Sequence, residues 1–248
     1  MNPRNHQPIN TPNNVIGQSN VHDSAHMHVQ GCAPYIDDMP MHSNTLHVAF
    51  ALSKIAHGKI NSIDTSLAKN ARGVHSILLA EDISHLNIGP IRHDEPLLAK
   101  GEVLFCGQAL AAVLADSHEN ARKAAALINS DITRLDAIVT VEQAMARNSF
   151  LDKPLEIHMG NAEEAIKEAT HHLTGNLTIG GQEHYYLESQ IALAIPTENK
   201  EVIVHSSTQN PTEVQHLVAH VLGIPQHSVE VITRRMGGGF GGKETDSS

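Results

Sequence analysis

The residues best suited to chemistry lie together in 229–244, read as VEVITRRMGGGFGGKE. Val229, Val231 and Thr233 alternate with polar Glu230, the pattern of a short strand. Five glycines, Gly237, Gly238, Gly239, Gly241 and Gly242, then surround Phe240. Such a run has no side chains to pack and loses much backbone entropy on folding. What it offers is positive φ and close backbone approach. A strand entering such a loop delivers bare N–H groups to a polar or anionic group.

Three readings of the loop follow from the residues alone. Gly237, Gly239 and Gly242 satisfy GxGxxG, but a dinucleotide site also needs a following helix and an acidic residue some 20 positions on. Gly237, Gly242 and Lys243 satisfy GxxxxGK, but a phosphate loop continues with Ser or Thr. Here Glu244 stands in that place, and its carboxylate repels a phosphate. The third reading is a glycine-rich turn beside a packed Phe240.

The full string MGGGFGGKE is more specific. It resembles the molybdopterin-binding loop of the xanthine dehydrogenases and related molybdenum hydroxylases. GGQEHYYLESQ (180–190), SSTQN (206–210) and GCAPYIDDMP (31–40) resemble the same family in order and rough spacing. The resemblance runs from about residue 21 to the end. It implies an α+β fold: a small α/β hammerhead domain over 21–148, then the first, incomplete part of a molybdopterin-binding domain over 155–248. Residues 1–20, rich in Asn and Pro, read as a disordered tail.

The resemblance also implies a chemistry. The cofactor is molybdenum held by molybdopterin, with iron–sulfur clusters and FAD on partner chains. The reaction is oxidation of hypoxanthine or xanthine to urate, with water as the oxygen source. Carried over by position, Gln209 hydrogen-bonds an oxo ligand of the metal. Phe240 approaches by its ring edge and Gly241 by its backbone, and Gly239 lets them come close. Gln209 and Phe240 thus stand near molybdenum without ligating it. Glu244 orients the purine and stabilises charge building on its ring, a catalytic and substrate-binding role. Gln182, Glu183 and Glu188 are structural or pocket-edge residues. The family's general base and most pterin contacts belong to the remainder of the molybdenum subunit. Plainer readings exist for each residue: Gln209 as a helix-entry residue ahead of Pro211, Phe240 as core, Glu244 as an exposed glutamate after a loop.

Bulk composition narrows the partners. The 248 residues carry a formal charge of -10, which argues against nucleic acid and acidic membranes. Cys32 and Cys106 give no disulfide framework and no metal spacing, so a cytoplasmic setting is the simpler reading. No apolar run approaches the length of a membrane span. The 19 histidines show no HExxH spacing and read as scattered surface and core residues. Asp37–Asp38 reads as a turn-former rather than an acid/base pair.

The elements that must position these residues follow from periodicity. Strands are expected over 45–51, 59–64, 73–80 and 131–135, and two more over 101–116, broken at Gly107. A short helix is expected over 66–72, and a long loop over 85–100. Ser117 caps a helix running to about residue 128. A short helix over 141–147 and a polar boundary over 148–154 follow. Asn161 caps a helix over 162–169. Further strands are expected over 171–179, 189–195 and 202–206. Pro211 opens a helix that Gly223 ends. A rival to the enzyme reading is a non-catalytic domain that assembles with partner subunits. A rival within it is an aldehyde-oxidising molybdenum hydroxylase.

Overall fold

The run ALAAVLA at 109–115 is apolar at every position, as a strand covered on both faces must be. In the computed structural model, which describes residue 17, residues 19–89 and residues 91–244, it is the centre of a sheet. The expected tail falls almost wholly outside those residues. The first half contains α1 (Ala25–Val29), β1 (His47–Leu52), β2 (Gly58–Asp64), α2 (Ser66–Lys69), β3 (Val74–Leu78), β4 (Asn87–Ile88) and β5 (Glu95–Pro96). Then come β6 (Glu102–Val103), β7 (Ala109–Ala115), α3 (His118–Ala125), β8 (Asn129–Arg134) and α4 (Val141–Ala146).

Strand β7 pairs antiparallel with β1 on one side and β3 on the other. Strand β2 pairs antiparallel with β6 and β8 in a second sheet. Helix α3 lays Ala121, Ala124 and Ala125 against Ala49, Val113 and Ala115. With methyl groups on both sides, helix and sheet come close, so a core nearly free of aromatics is still dense. Ser117 caps α3 by accepting the N–H of Asn120 at 3.3 Å. The helix ends at Ala125, short of the expected 128. The expected loop over 85–100 is broken only by the two-residue ladder of β4 and β5. At the expected aspartate turn, the Asp38 carboxylate accepts the N–H of Tyr35 at 2.9 Å, a local cap rather than an acid/base site.

The second half contains α5 (Ala162–Glu168), β9 (Ala192–Pro196), β10 (Val202–Ser206), α6 (Pro211–Leu222) and β11 (Val229–Ile232). Strand β10 pairs antiparallel with β9 and parallel with β11. Helix α6 makes the crossover between the parallel strands and buries Val214 and Ala219 against Val204 and Val229. Asn210 caps it through Glu213 N–H at 3.2 Å, and Gly223 closes it in the left-handed conformation.

The strand expected over 171–179 does not form. Leu173, Leu177 and Ile179 alternate with polar residues as a strand requires, yet all three are largely exposed. No strand among the described residues lies alongside to take its N–H and C=O groups. Periodicity supplied the pattern, and the ladder partner was missing.

Contacts among the described residues join the halves. The guanidinium of Arg235 donates to the carbonyl of Pro34. The rings of His85 and His220 lie 5.2 Å apart.

Candidate functional site

The parallel pairing of β10 and β11 decides where the unusual residues meet. Parallel strands end at the same edge, and chains leaving their C-terminal ends run side by side. Residues 207–210 leave β10 there and residues 233–244 leave β11. SSTQN and MGGGFGGKE are therefore neighbours in space, although a twelve-residue helix lies between them in the chain.

Gln209 stitches the two segments together. Its backbone N–H donates to the carbonyl of Lys243 at 2.7 Å. Its side-chain oxygen accepts the N–H of Gly241 at 2.9 Å and that of Lys243 at 3.2 Å. Two backbone donors fix which end of the amide is oxygen. No described residue accepts from the NH2 end. An exposed side chain thus presents a pure donor, uncharged and held in place. A Cβ on Gly239 would stand 2.7 Å from that same side-chain oxygen, so any side chain there would force the Gln209 amide to shift.

Phe240 is not packed. The residue is 76% exposed, and its backbone has φ of 50°, a left-handed conformation that is strained for a bulky residue. The reading of a glycine turn around a core phenylalanine is overturned. Gly241, next to it, also has positive φ, at 93°. Glu244 is exposed, and its carboxylate has no hydrogen bond or ion pair among the described residues.

Beneath the loop lies an ion pair that sequence reasoning did not assemble. Lys243 is fully buried. Its ammonium donates to Ser207 Oγ at 2.7 Å and to Glu188 Oε2 at 3.2 Å, and sits 4.8 Å from the centre of the Tyr186 ring. Glu188 Oε2 also accepts from Ser207 Oγ at 2.5 Å and from Gly237 N–H at 2.8 Å. Burial works to raise the Glu188 carboxyl, but the bonds from Ser207, Gly237 and Lys243 outweigh it and hold the group below the usual carboxylate range. Its other oxygen, Oε1, is buried without a partner. The phosphate-loop motif accounts for none of these contacts of Lys243. Glu188, expected as a structural or pocket-edge residue, is the anchor of the loop. Gln182 and Glu183 are exposed and make only local contacts.

Among the described residues, no group of three or more His, Cys, Asp and Glu is placed to hold a metal ion. No helix among them is long and apolar enough to cross a membrane.

Two family models match the chain. Residues 30–136 match the aldehyde oxidase and xanthine dehydrogenase a/b hammerhead domain, and residues 142–248 match the molybdopterin cofactor-binding domain. Xanthine dehydrogenase/oxidase of Felis catus is 41% identical over 235 residues, 94% of this chain and 18% of that protein. Quinoline 2-oxidoreductase of Pseudomonas putida 86 superposes with a TM-score of 0.80 at 28% identity, over 92% of this chain and 31% of its own. Aldehyde oxidoreductase of Desulfovibrio gigas superposes at 0.77 with 27% identity, over 89% and 27%. The chain thus spans about a fifth to a third of the length of these relatives.

Proposed function

Because the chain belongs to the aldehyde oxidase and xanthine dehydrogenase family, we propose that it forms the first part of the molybdenum-binding portion of a xanthine dehydrogenase-type hydroxylase. Residues 21–148 form the hammerhead unit, and residues 155–248 begin the cofactor-binding unit. The observation that carries this reading is the exposed amide of Gln209, whose oxygen is fixed beside a glycine loop by the N–H groups of Gly241 and Lys243.

The chain's residues suit a molybdopterin-bound molybdenum on three counts. Gln209 offers a neutral donor that leaves the charge of the bound group unaltered. Gly239, buried and without a side chain, leaves room for the Gln209 amide to lie against the loop. Phe240 is held with its ring exposed, at a cost in backbone strain that packing does not explain. When bound, the cofactor supplies the two-electron chemistry that puts an oxygen from water on an electron-poor carbon.

The protein does the rest. Gln209 donates toward the cofactor. Gly241 and Phe240 shape the approach. Glu244 accepts a hydrogen bond from a ring N–H of the substrate and so orients it. The substrate is a purine, hypoxanthine or xanthine. Electrons leave through iron–sulfur and FAD groups on partner chains, and the remainder of the molybdenum subunit completes the pocket.

The test is Gln209→Ala in the enzyme assembled with those partners. Loss of one preorganised donor lowers xanthine turnover by about 10²–10³-fold, with molybdenum per protein retained. Unchanged turnover would remove Gln209 from the site. A second reading, an aldehyde-oxidising enzyme, is favoured by the likeness to the D. gigas aldehyde oxidoreductase. Turnover of an aldehyde with none of xanthine would establish it instead.

A further inference from the structure

We propose that Glu188 and Lys243 are positioning residues, whose buried ion pair aims the amide of Gln209. The inference rests on the reading of Gln209 given above, and it deepens it. Lys243 is tied at both ends. Its side chain is anchored below the loop by Glu188 and Ser207. Its backbone N–H donates to Gln209 Oε1, and its carbonyl accepts from Gln209 N–H and from Thr208 Oγ1 at 3.2 Å. Glu188 meanwhile grips the start of the loop through Gly237 N–H. One carboxylate therefore fixes the loop at its first glycine and, through Lys243, at its last residue before Glu244. Between those points lies Gly241, whose N–H is the shortest bond holding the Gln209 oxygen.

A pair serving stability alone would not need this arrangement. Replacing a buried ion pair with apolar residues of similar volume is often neutral for stability, whereas stranding one charge is not. Stability and alignment can therefore be separated. In Glu188→Gln the ammonium of Lys243 loses the charge of Glu188, in Lys243→Met the carboxylate loses the charge of Lys243, and in the double variant both charges are gone.

The chain itself gives the first readout. In the wild-type chain, hydrogen exchange at Gly241 is slowed by its bond to Gln209. Each single variant raises the Gly241 exchange rate at least about tenfold, while Val214 and Leu217 in α6 keep their protection. The double variant regains the wild-type melting temperature, and its Gly241 still exchanges fast. Recovery of Gly241 protection together with melting temperature would overturn the proposal. So would unchanged exchange in all three variants. If a single variant fails to fold, the double variant alone decides.

The assembled enzyme gives the second readout. Gln209→Ala costs xanthine turnover in the wild-type background and far less in the double variant, because the amide is already misaimed there. Equal losses in both backgrounds would contradict the proposal. An assembled wild-type enzyme without molybdenum or hydroxylation would instead defeat the functional reading, and the exchange readout would still judge the ion pair.

Discussion

Gly239 lies so close to Gln209 that a Cβ added to it would stand 2.7 Å from the side-chain oxygen and 2.8 Å from Cδ. That oxygen is held by two backbone donors, so it cannot swing aside without losing both. Gly239→Ala should destabilise the chain by about 1–3 kcal/mol, the usual cost of forcing a group into a filled space. Urea unfolding measures this. A change within error would mean that the amide moves freely and is not fixed by the loop.

Glu188 makes stability depend on acid. Its carboxyl is held below the usual range in the folded chain, burial being outweighed by the bonds from Ser207, Gly237 and Lys243. A lowered folded value means that the carboxylate stabilises the fold at pH above the unfolded value, about 4.3, and that this is lost as pH falls through the folded one. The stability gap between wild type and Glu188→Gln should therefore be widest near neutrality and narrow below about pH 4. Denaturation midpoints taken across that window test it, and a gap independent of pH would contradict the assignment.

The sequence carried the caps and the loop in local form. Ser117 and Asn161 each accept a backbone N–H at the helix start where their side chains were expected to, and Pro211 opens its helix as expected, with Asn210 as the cap ahead of it. Such signals span three residues and need no tertiary partner. The ion pair did not read out, because Glu188 and Lys243 are 55 positions apart and their segments meet only when β10 pairs antiparallel with β9 and parallel with β11. Phe240 was legible as a residue near the site but not as an exposed one, since composition cannot show a left-handed backbone. The strand over 171–179 was misread for the opposite reason: its pattern is local, and a strand exists only with a neighbour to bond.

That misread segment gives a prediction of its own. Leu173, Leu177, Ile179, Tyr185 and Leu187 are all exposed in a stretch with no regular structure, whereas Val204, Val214 and Val229 are buried. In the isolated chain, amides over 171–187 should exchange at nearly the free rate. Those of β7, β10 and α6 should be slower by at least about a thousandfold, as for amides that open only with a whole structural unit. Assembly with the rest of the molybdenum subunit should bring protection to 171–187. Strong protection there in the isolated chain would mean that the segment already has a partner.

The most direct test is Glu244→Val in the assembled enzyme, with xanthine and a simple aldehyde compared. Glu244 is exposed beside the loop with no partner among the described residues, so its removal strands no buried group of the chain. A purine has ring N–H donors for the carboxylate, and an aldehyde has no such donor. Loss of a charged hydrogen bond in a desolvated pocket costs about 2–4 kcal/mol in the transition state. At about 1.4 kcal/mol per decade, xanthine turnover should fall roughly 30- to 1000-fold. Aldehyde turnover should fall far less or rise, and molybdenum content should stay the same. If both rates fell together, Glu244 would be supporting the loop or the cofactor, and the account of purine recognition would be wrong.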